Sequence, residues 1–268
     1  MGIVMLDGPE LAERYDRISD IQFNNGRALA GMMGIKKGDI VLDVGCGTGR
    51  LAIYISKVVG KRGSVTGIDP STYRINLARS KLGKKYANVS FQLGRGEDLR
   101  AFSDCSFDHV CYSSVLHWIE DKRAALKEAY RVLKPGGKVG ITTVDKSHSY
   151  HVRKMMEMLS SREPYPGCFD LSSIGTLLES DDLARILPEA GFEGICIRSA
   201  SRKYRYPSPD KLLEFIEVSS SGNFMRDIPE SMRPLALDYM RMEIEKMTTG
   251  PGLVLESSTV FAVASKPA

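Results

Sequence analysis

Three glycines stand at a strand-to-helix turn where bare backbone could hold a ligand. The string VLDVGCGTGR runs from Val41 to Arg50, with an apolar strand before Gly45 and an amphipathic segment after Gly49. Glycine has no Cβ atom, so a ligand can lie directly against the chain. The GxGxG spacing is tighter than the GxGxxG of dinucleotide sites, where a helix N-terminus receives a pyrophosphate. Asp43 precedes the first glycine by two positions, and its carboxylate suits a cationic amino group and repels a pyrophosphate.

A second acidic residue ends the next strand. Asp69 lies in the string GIDPS, about 20 positions beyond the glycines. A carboxylate at this place can accept both hydrogen bonds of a ribose diol, which points to a nucleoside. The alternative is that Asp69 caps the helix that begins near Ser71. Both roles can coexist if Ser71 is itself the cap.

The elements that must position these acids alternate regularly. β-Branched runs and amphipathic segments follow one another from 39 to 143, a rhythm typical of βαβ units around a parallel sheet. The pattern predicts strands at Ile40–Val44, Ser64–Ile68, Val89–Leu93, Phe107–Tyr112 and Lys138–Thr143, and helices at Arg50–Val58, Thr72–Leu82 and Lys122–Leu133.

The rhythm changes after residue 143. Helices are predicted at Val152–Leu159, Asp181–Ala190, Pro209–Val218 and Glu230–Met247, and strands at Gly194–Ala200 and Ser258–Ser265. We therefore expect a single domain, 1–268, with an N-terminal helical segment (1–38), a ligand-binding core (39–143) and substrate-side cap insertions (144–180 and 205–250). Residues 146–180 are expected to form a mobile cover over the ligand.

Four motifs together resemble the class I S-adenosylmethionine-dependent methyltransferase superfamily. They are the glycine string, the acid Asp69, GEDL at 96–99 and RVLKPGG at 131–137. The resemblance implies a Rossmann-like, doubly wound α/β fold. Its sheet would be mostly parallel and seven-stranded, with an antiparallel last strand and a helical cap. The cofactor would be S-adenosyl-L-methionine and the product S-adenosyl-L-homocysteine.

The resemblance also assigns cofactor contacts. Asp43 and the glycine turn would hold the methionine moiety, Asp69 the ribose, and the loop around Gly96 the adenine edge. Arg95 stands where the superfamily usually has an acid, and a guanidinium cannot accept a hydrogen bond from adenine. Glu97, Asp98 or a backbone carbonyl could serve instead. The predicted cofactor-binding residues are Tyr15, Asp43, Gly45, Cys46, Gly47, Gly49, Asp69, Pro70, Gly96, Glu97 and Ser113.

Flanking residues are similar to one branch of the superfamily. Tyr15, Asp16 and Gln22, followed by LHW at 116–118, resemble the trans-aconitate, malonyl-carrier-protein and juvenile hormone acid methyltransferases. A small-molecule acceptor, with a carboxylate as one option, is therefore expected. The alternatives are an RNA or protein methyltransferase and a non-catalytic nucleoside-binding protein.

Catalytic groups are less clearly marked. A carboxylate acceptor needs only positioning, whereas an amine, phenol or acidic carbon needs a base. His117 and His148 are the candidate bases, and Tyr15 could close over the sulfonium; each could instead be a packing residue. His148 and His151 lie three apart but lack a third ligand of suitable spacing, so no metal is predicted.

Composition limits the partners. The 268 residues carry 37 Lys and Arg against 33 Asp and Glu, a net charge of +4 that is small for a nucleic-acid binder. The five cysteines are scattered without CxxC pairs, and no long apolar run occurs. A cytoplasmic protein without a nucleic-acid or membrane partner is therefore expected. The basic run at 202–206 could be a solvated strand end, a carboxylate site or a nucleic-acid surface.

Overall fold

One seven-stranded sheet organises the chain. A computed structural model describes residues 7–145, 157–165, 176–220, 223–248 and 252–268. The strands are β1 (Ile40–Val44), β2 (Ser64–Asp69), β3 (Val89–Leu93), β4 (Phe107–Ser113), β5 (Leu133–Val144), β6 (Glu193–Tyr206) and β7 (Leu253–Ser265).

The strand order places a ligand crevice at the middle of the sheet. The order is β3-β2-β1-β4-β5-β7-β6, with β1 to β5 parallel and β7 antiparallel to both of its neighbours. The predicted Rossmann-like fold class is confirmed. Chain connections leave β1 and β4 toward opposite sides, and open α/β sheets bind ligands outside the carboxyl ends of strands at such a point.

Helices cover both faces of the sheet. They are α1 (Pro9–Ile18), α2 (Asp20–Met33), α3 (Arg50–Val59), α4 (Thr72–Ser80), α5 (Lys122–Val132), α6 (Ser180–Glu189), α7 (Pro209–Ser219) and α8 (Arg233–Lys246). Apolar residues of α2, α3 and α4 pack on one face, and those of α5 and α6 pack on the other. Across the described ranges, no helix is long and apolar enough to cross a membrane.

Short polar side chains begin three of these helices. Ser71, Asp121 and Ser208 each accept a hydrogen bond from the backbone N–H three residues further on, in α4, α5 and α7. Ser71, and not Asp69, is therefore the cap of α4.

The two closing strands are longer than the sequence predicts. β6 and β7 remain paired out to Tyr206 and Leu253, beyond the predicted ends at 200 and 258. Tyr204 and Tyr206 lie two residues apart in the added pairs, so the strand period of two keeps both rings on one face of the hairpin. The basic run is therefore paired strand, with Arg202, Lys203 and Arg205 exposed to solvent.

A third apolar cluster lies apart from the two sheet faces. It joins α7 and α8 to the outer end of β7 through residues such as Leu213, Met240 and Leu253. Leu159 and Tyr165 belong to it as well. The expected cover, 146–180, otherwise lies largely outside the described residues.

Removal of one helix cap should cost a definite amount of stability. Asp121 is exposed and accepts the Ala124 N–H at 2.8 Å, so Asp121→Ala should lower the free energy of unfolding by about 1 kcal/mol. Urea denaturation followed by circular dichroism measures this. Lys127→Ala, on the exposed side of the same helix, is the control and should stay within about 0.5 kcal/mol. Equal effects of both substitutions would contradict the capping role.

Candidate functional site

A cavity of about 820 Å³ opens at the carboxyl ends of the central strands. One half is bounded by Gly45, Asp69 and the loop after β3, and the other by side chains of β5, β6, β7 and α7. Its volume lies within the range of small-molecule sites. The two halves form one continuous space, so two ligands bound there could meet.

The glycine turn keeps its shape because other side chains cannot fit. Gly45, Gly47 and Gly49 all have positive φ, from 54° to 81°. A Cβ on Gly45 would lie 2.3 Å from Val115, and one on Gly49 would lie 2.5 Å from Phe91. Substitution at either position would therefore combine backbone strain with a steric clash.

The predicted turn residues do not all face the same space. Gly45 lines the large cavity, whereas Cys46 lines a smaller pocket of about 40 Å³ beside it. Gly47 lies beneath the ring of Tyr15, and Gly49 packs against Phe91. Burial raises the pKa of the Cys46 thiol, which keeps it protonated.

Asp69 ties the glycine turn to the loop that follows β2. Its Oδ2 accepts the Gly47 N–H and its Oδ1 accepts the Ser71 N–H, each at 2.9 Å. The carboxylate is buried and borders the cavity beside Pro70. Burial raises its pKa, and the guanidinium of Arg74 opposes that effect.

Asp43 is buried beside Asp69 with an unused hydrogen-bonding atom. Only 1% of its surface is exposed, and among the residues that the structure describes no group donates to its Oδ2. Burial and the charge of Asp69 raise the pKa of Asp43 to about 7. The Oε1 of Gln22, on the same small pocket, also lacks a donor. Two unfilled acceptors in one pocket fit a cationic donor such as an ammonium group.

An N-terminal strap, Asp7 to Ile18, closes the site from one side. The Asp7 carboxylate binds the Arg74 guanidinium at 2.8 Å and accepts the Ser71 hydroxyl at 2.6 Å. The guanidinium in turn lies 4.3 Å from the centre of the Tyr15 ring. Sequence reasoning found Tyr15 but missed Asp7 and Arg74. The signal available in the sequence for Arg74 was its position, three residues after Ser71, which caps α4.

The loop after β3 borders the same half of the cavity. Gly96 packs so closely on Ile119 that a Cβ would approach it to 2.7 Å. Glu97 lines the cavity with its carboxylate 3.8 Å from the half-exposed guanidinium of Arg95. Glu97 is therefore the acidic group available at the predicted adenine edge, where Arg95 cannot accept.

His117 borders the other half of the cavity. Its Nδ1 lies 3.3 Å from the Thr143 hydroxyl, and its ring centroid lies 5.1 Å from that of Trp118. Burial lowers the pKa of His117 to about 3, so the ring is neutral at physiological pH. Ser113 borders both pockets, and the next residue, Ser114, has a positive φ of 60°.

Aromatic and aliphatic side chains complete this second half. Tyr204 and Tyr206 line it from β6, and the Tyr206 ring lies 5.8 Å from that of Phe215 on α7. Leu212 and Ile216 extend the same wall. Sequence reasoning missed the two tyrosines as site residues because the cations between them dominate the local pattern.

The remaining catalytic and metal predictions concern histidines near residue 150. His148 and His151 lie outside the described residues, so their predicted roles remain open. Within the described ranges no group of three His, Cys, Asp or Glu side chains could hold a metal ion.

Known proteins with similar sequences are methyltransferases. A methyltransferase domain family matches residues 42–141. The chloroplastic 2-phytyl-1,4-beta-naphthoquinone methyltransferase of Arabidopsis thaliana is 33% identical over 69% of this chain and 78% of its own length. The demethylmenaquinone methyltransferase of Staphylococcus aureus is 32% identical over 70% of this chain and 84% of its own length.

Solved structures show the same fold. The YcgJ protein of Bacillus subtilis superposes with a TM-score of 0.64 and 17% identity, covering 91% of this chain and 99% of its own. Phosphoethanolamine N-methyltransferase 2 of Haemonchus contortus, solved in complex with S-adenosyl-L-methionine, gives a TM-score of 0.62 and 22% identity. The match covers 97% of this chain and 58% of that one. The narrower resemblance to the trans-aconitate branch is not confirmed by these relatives.

Loss of the Asp69 carboxylate should weaken cofactor binding. Asp69→Ala leaves the Gly47 and Ser71 N–H groups without their acceptor and removes the predicted ribose contact. S-Adenosylhomocysteine affinity, measured by calorimetry, should fall by about 1–3 kcal/mol. Asp104→Ala, at an exposed carboxylate outside the predicted cofactor motifs and outside the cavity lining, is the matched control. Unchanged affinity in Asp69→Ala would limit this residue to a structural role.

Cofactor affinity should depend on pH through Asp43. The free protein holds the Asp43 proton up to about pH 7, and an ammonium group binds the ionised form. Affinity for S-adenosylhomocysteine should therefore rise as pH increases through about 7 and then level off, with proton release on binding below that pH. Calorimetry in buffers of different ionisation enthalpy measures both effects. Asp43→Asn should bind more weakly and without this dependence; an identical pH profile would refute the assignment.

Proposed function

The chain belongs to the class I S-adenosylmethionine-dependent methyltransferases, and we propose that its acceptor is a small, uncharged molecule with a largely apolar body. The observation that carries this proposal is the wall of the second half of the cavity. Trp118, Tyr204, Tyr206, Phe215 and neighbouring aliphatic side chains line it, and among the described residues of that half there is no Lys or Arg.

The absence of a cation from the described wall bears on the type of acceptor. A buried carboxylate needs a charged or multiple hydrogen-bonding partner, because desolvation of an unpaired charge is costly. The described cations of the cavity, Arg74 and Arg95, lie at its other half, and Arg74 is already bound to Asp7. The polar groups of the second half include the uncharged hydroxyls of Thr143, Ser257 and Thr259. This wall favours a hydroxyl acceptor over the carboxylate that the sequence left as an option.

The two relatives identified by sequence agree with an apolar acceptor. Two of them are named for naphthoquinone and menaquinone precursors, which are ring compounds. Aromatic side chains bind flat rings well because stacked and edge-on contacts add to the burial of apolar surface. We therefore place a quinol-like ring first among the acceptors of this chain.

The cofactor supplies an electrophilic methyl group on a sulfonium centre. In the proposed arrangement Asp43 and Gln22 hold its ammonium group, Asp69 accepts from the ribose, and Tyr15 covers the glycine turn. These residues orient the donor, and restricted orientation alone can supply several kcal/mol of rate enhancement. The proposed cap segments 144–180 and 205–250 would bind the acceptor against it, on a core of 39–143 closed by the N-terminal segment 1–38.

His117 would act on the acceptor as a neutral ring. With a pKa of about 3 it does not carry a positive charge at physiological pH, so it would hydrogen-bond the acceptor hydroxyl without attracting anions. Thr143, 3.3 Å from Nδ1, fixes the orientation of the ring. The Nε2 atom is then the one available to a ligand.

A labelled-methyl assay tests the proposed acceptor class. The protein is incubated with deuteromethyl S-adenosylmethionine and, separately, a reduced 1,4-naphthoquinone with an alkyl tail, a fatty acid with the same tail and the corresponding amine. Mass spectrometry should detect transfer to the quinol and not to the acid or amine. Asp69→Ala serves as the cofactor-binding control. Transfer to the fatty acid alone would reinstate the carboxylate acceptor and refute the proposal.

The aromatic wall should contribute to acceptor binding but not to cofactor binding. Tyr204→Ala removes one ring from the second half of the cavity and should raise the KM for the acceptor about fivefold to fiftyfold, the scale of a lost aromatic contact. Lys203→Ala, on the opposite face of the same strand, is the control. Steady-state kinetics with S-adenosylhomocysteine calorimetry separates the two effects. An unchanged KM would remove Tyr204 from the acceptor site.

A further inference from the structure

Helix α1 is held against the glycine turn and against the end of α4. Tyr15 covers Gly47, with the ring 3.4 Å from the place of a Cβ there. The neighbouring Asp16 accepts the Thr48 hydroxyl at 2.6 Å and binds the Lys81 ammonium. The position of α1 is therefore tied to the glycine turn, which borders the cofactor half, and to the end of α4.

The same helix also contacts α7, which forms part of the wall of the acceptor half. The Arg14 guanidinium binds the Glu217 carboxylate of α7 at 2.6 Å and lies 3.8 Å from that of Glu214. Arg14 is adjacent to Tyr15 in the chain. One turn of α1 therefore contacts both the glycine turn, through Tyr15, and α7, through Arg14. A shift of α1 would change both together.

Helix α7 carries the acceptor wall on another of its faces. Leu212, Phe215 and Ile216 line the cavity, while Glu214 and Glu217 face α1. The angle at which α7 packs on α1 therefore sets the shape of the acceptor half. This face of the helix has the three- and four-residue spacing expected for a packed stripe.

We propose that Arg14 is a positioning residue through which cofactor binding shapes the acceptor wall. The inference rests on the proposed function, because it takes the second half of the cavity as the acceptor site. A cofactor that contacts Tyr15 favours the docked position of α1, and the ion pair to Glu217 carries that preference to α7. Coupling of this kind is reciprocal, so a bound acceptor would strengthen cofactor binding by the same factor.

The size of the effect is limited by the exposure of the pair. The side chains of Arg14 and Glu217 are 23% and 41% exposed, and such pairs are weak contributors to global stability. Coupling needs only a small difference between the free and bound states. A change of about twofold to fivefold is the expected scale.

Hydrogen exchange with S-adenosylhomocysteine as the probe tests the proposal without an identified acceptor. In the natural protein, saturating probe should slow exchange in residues 209–219 by about twofold to fivefold. Arg14→Gln should bind the probe yet lose this protection, and Arg14→Lys, which keeps the charge, should retain part of it.

A matched control separates coupling from general support of α7. Arg241→Gln, on α8, removes the 2.8 Å ion pair to Asp210 of α7 without touching α1 or the glycine turn. It should keep the protection seen in the natural protein. Protection that persists in Arg14→Gln, or that is absent from the natural protein although the probe binds, would overturn the inference. Absence of any probe binding by calorimetry would refute the proposed function itself.

Discussion

The buried carboxylate of Asp69 is the contact on which the arrangement of the site depends. Its two oxygens accept backbone N–H groups from two separate turns, at Gly47 and Ser71. The turn after β1 and the turn after β2 are therefore fixed to each other as well as to the sheet. Ser71 also begins α4, whose Arg74 holds the N-terminal strap. One carboxylate thus links the glycine turn, a helix start and the strap.

This arrangement is electrostatically unfavourable until a cation arrives. Asp43 and Asp69 are both buried, and each raises the cost of ionising the other because they carry the same charge. Arg74 offsets part of that repulsion near Asp69 but is also engaged by Asp7. Asp43 is left with an unused oxygen. A cationic ligand relieves this repulsion. Ionisation of Asp43, which is costly in the free protein, therefore becomes favourable when the ligand binds.

Local patterns predicted the parallel strands and the glycine turn, because strand periodicity and the need for positive φ at Gly45 depend on nearby residues. The ion pair of Asp7 with Arg74 joins positions 67 residues apart, and no local pattern reports such a contact. The inward face of Tyr204 was hidden for another reason. The cations beside it dominate the local pattern, and α7, the helix that packs on its strand, is placed by tertiary contacts.

The separate apolar cluster of α7, α8 and the end of β7 affects how this protein can diverge. It contacts the sheet chiefly through the outer hairpin, while the cofactor loops belong to the other two clusters. Substitutions in distant, independently packed regions have nearly additive effects on stability. The cluster of α7, α8 and the end of β7 can therefore accumulate substitutions while the parallel part of the sheet stays intact. Remodelling of this helix pair therefore alters one wall of the acceptor half, while the loops that hold the donor are retained.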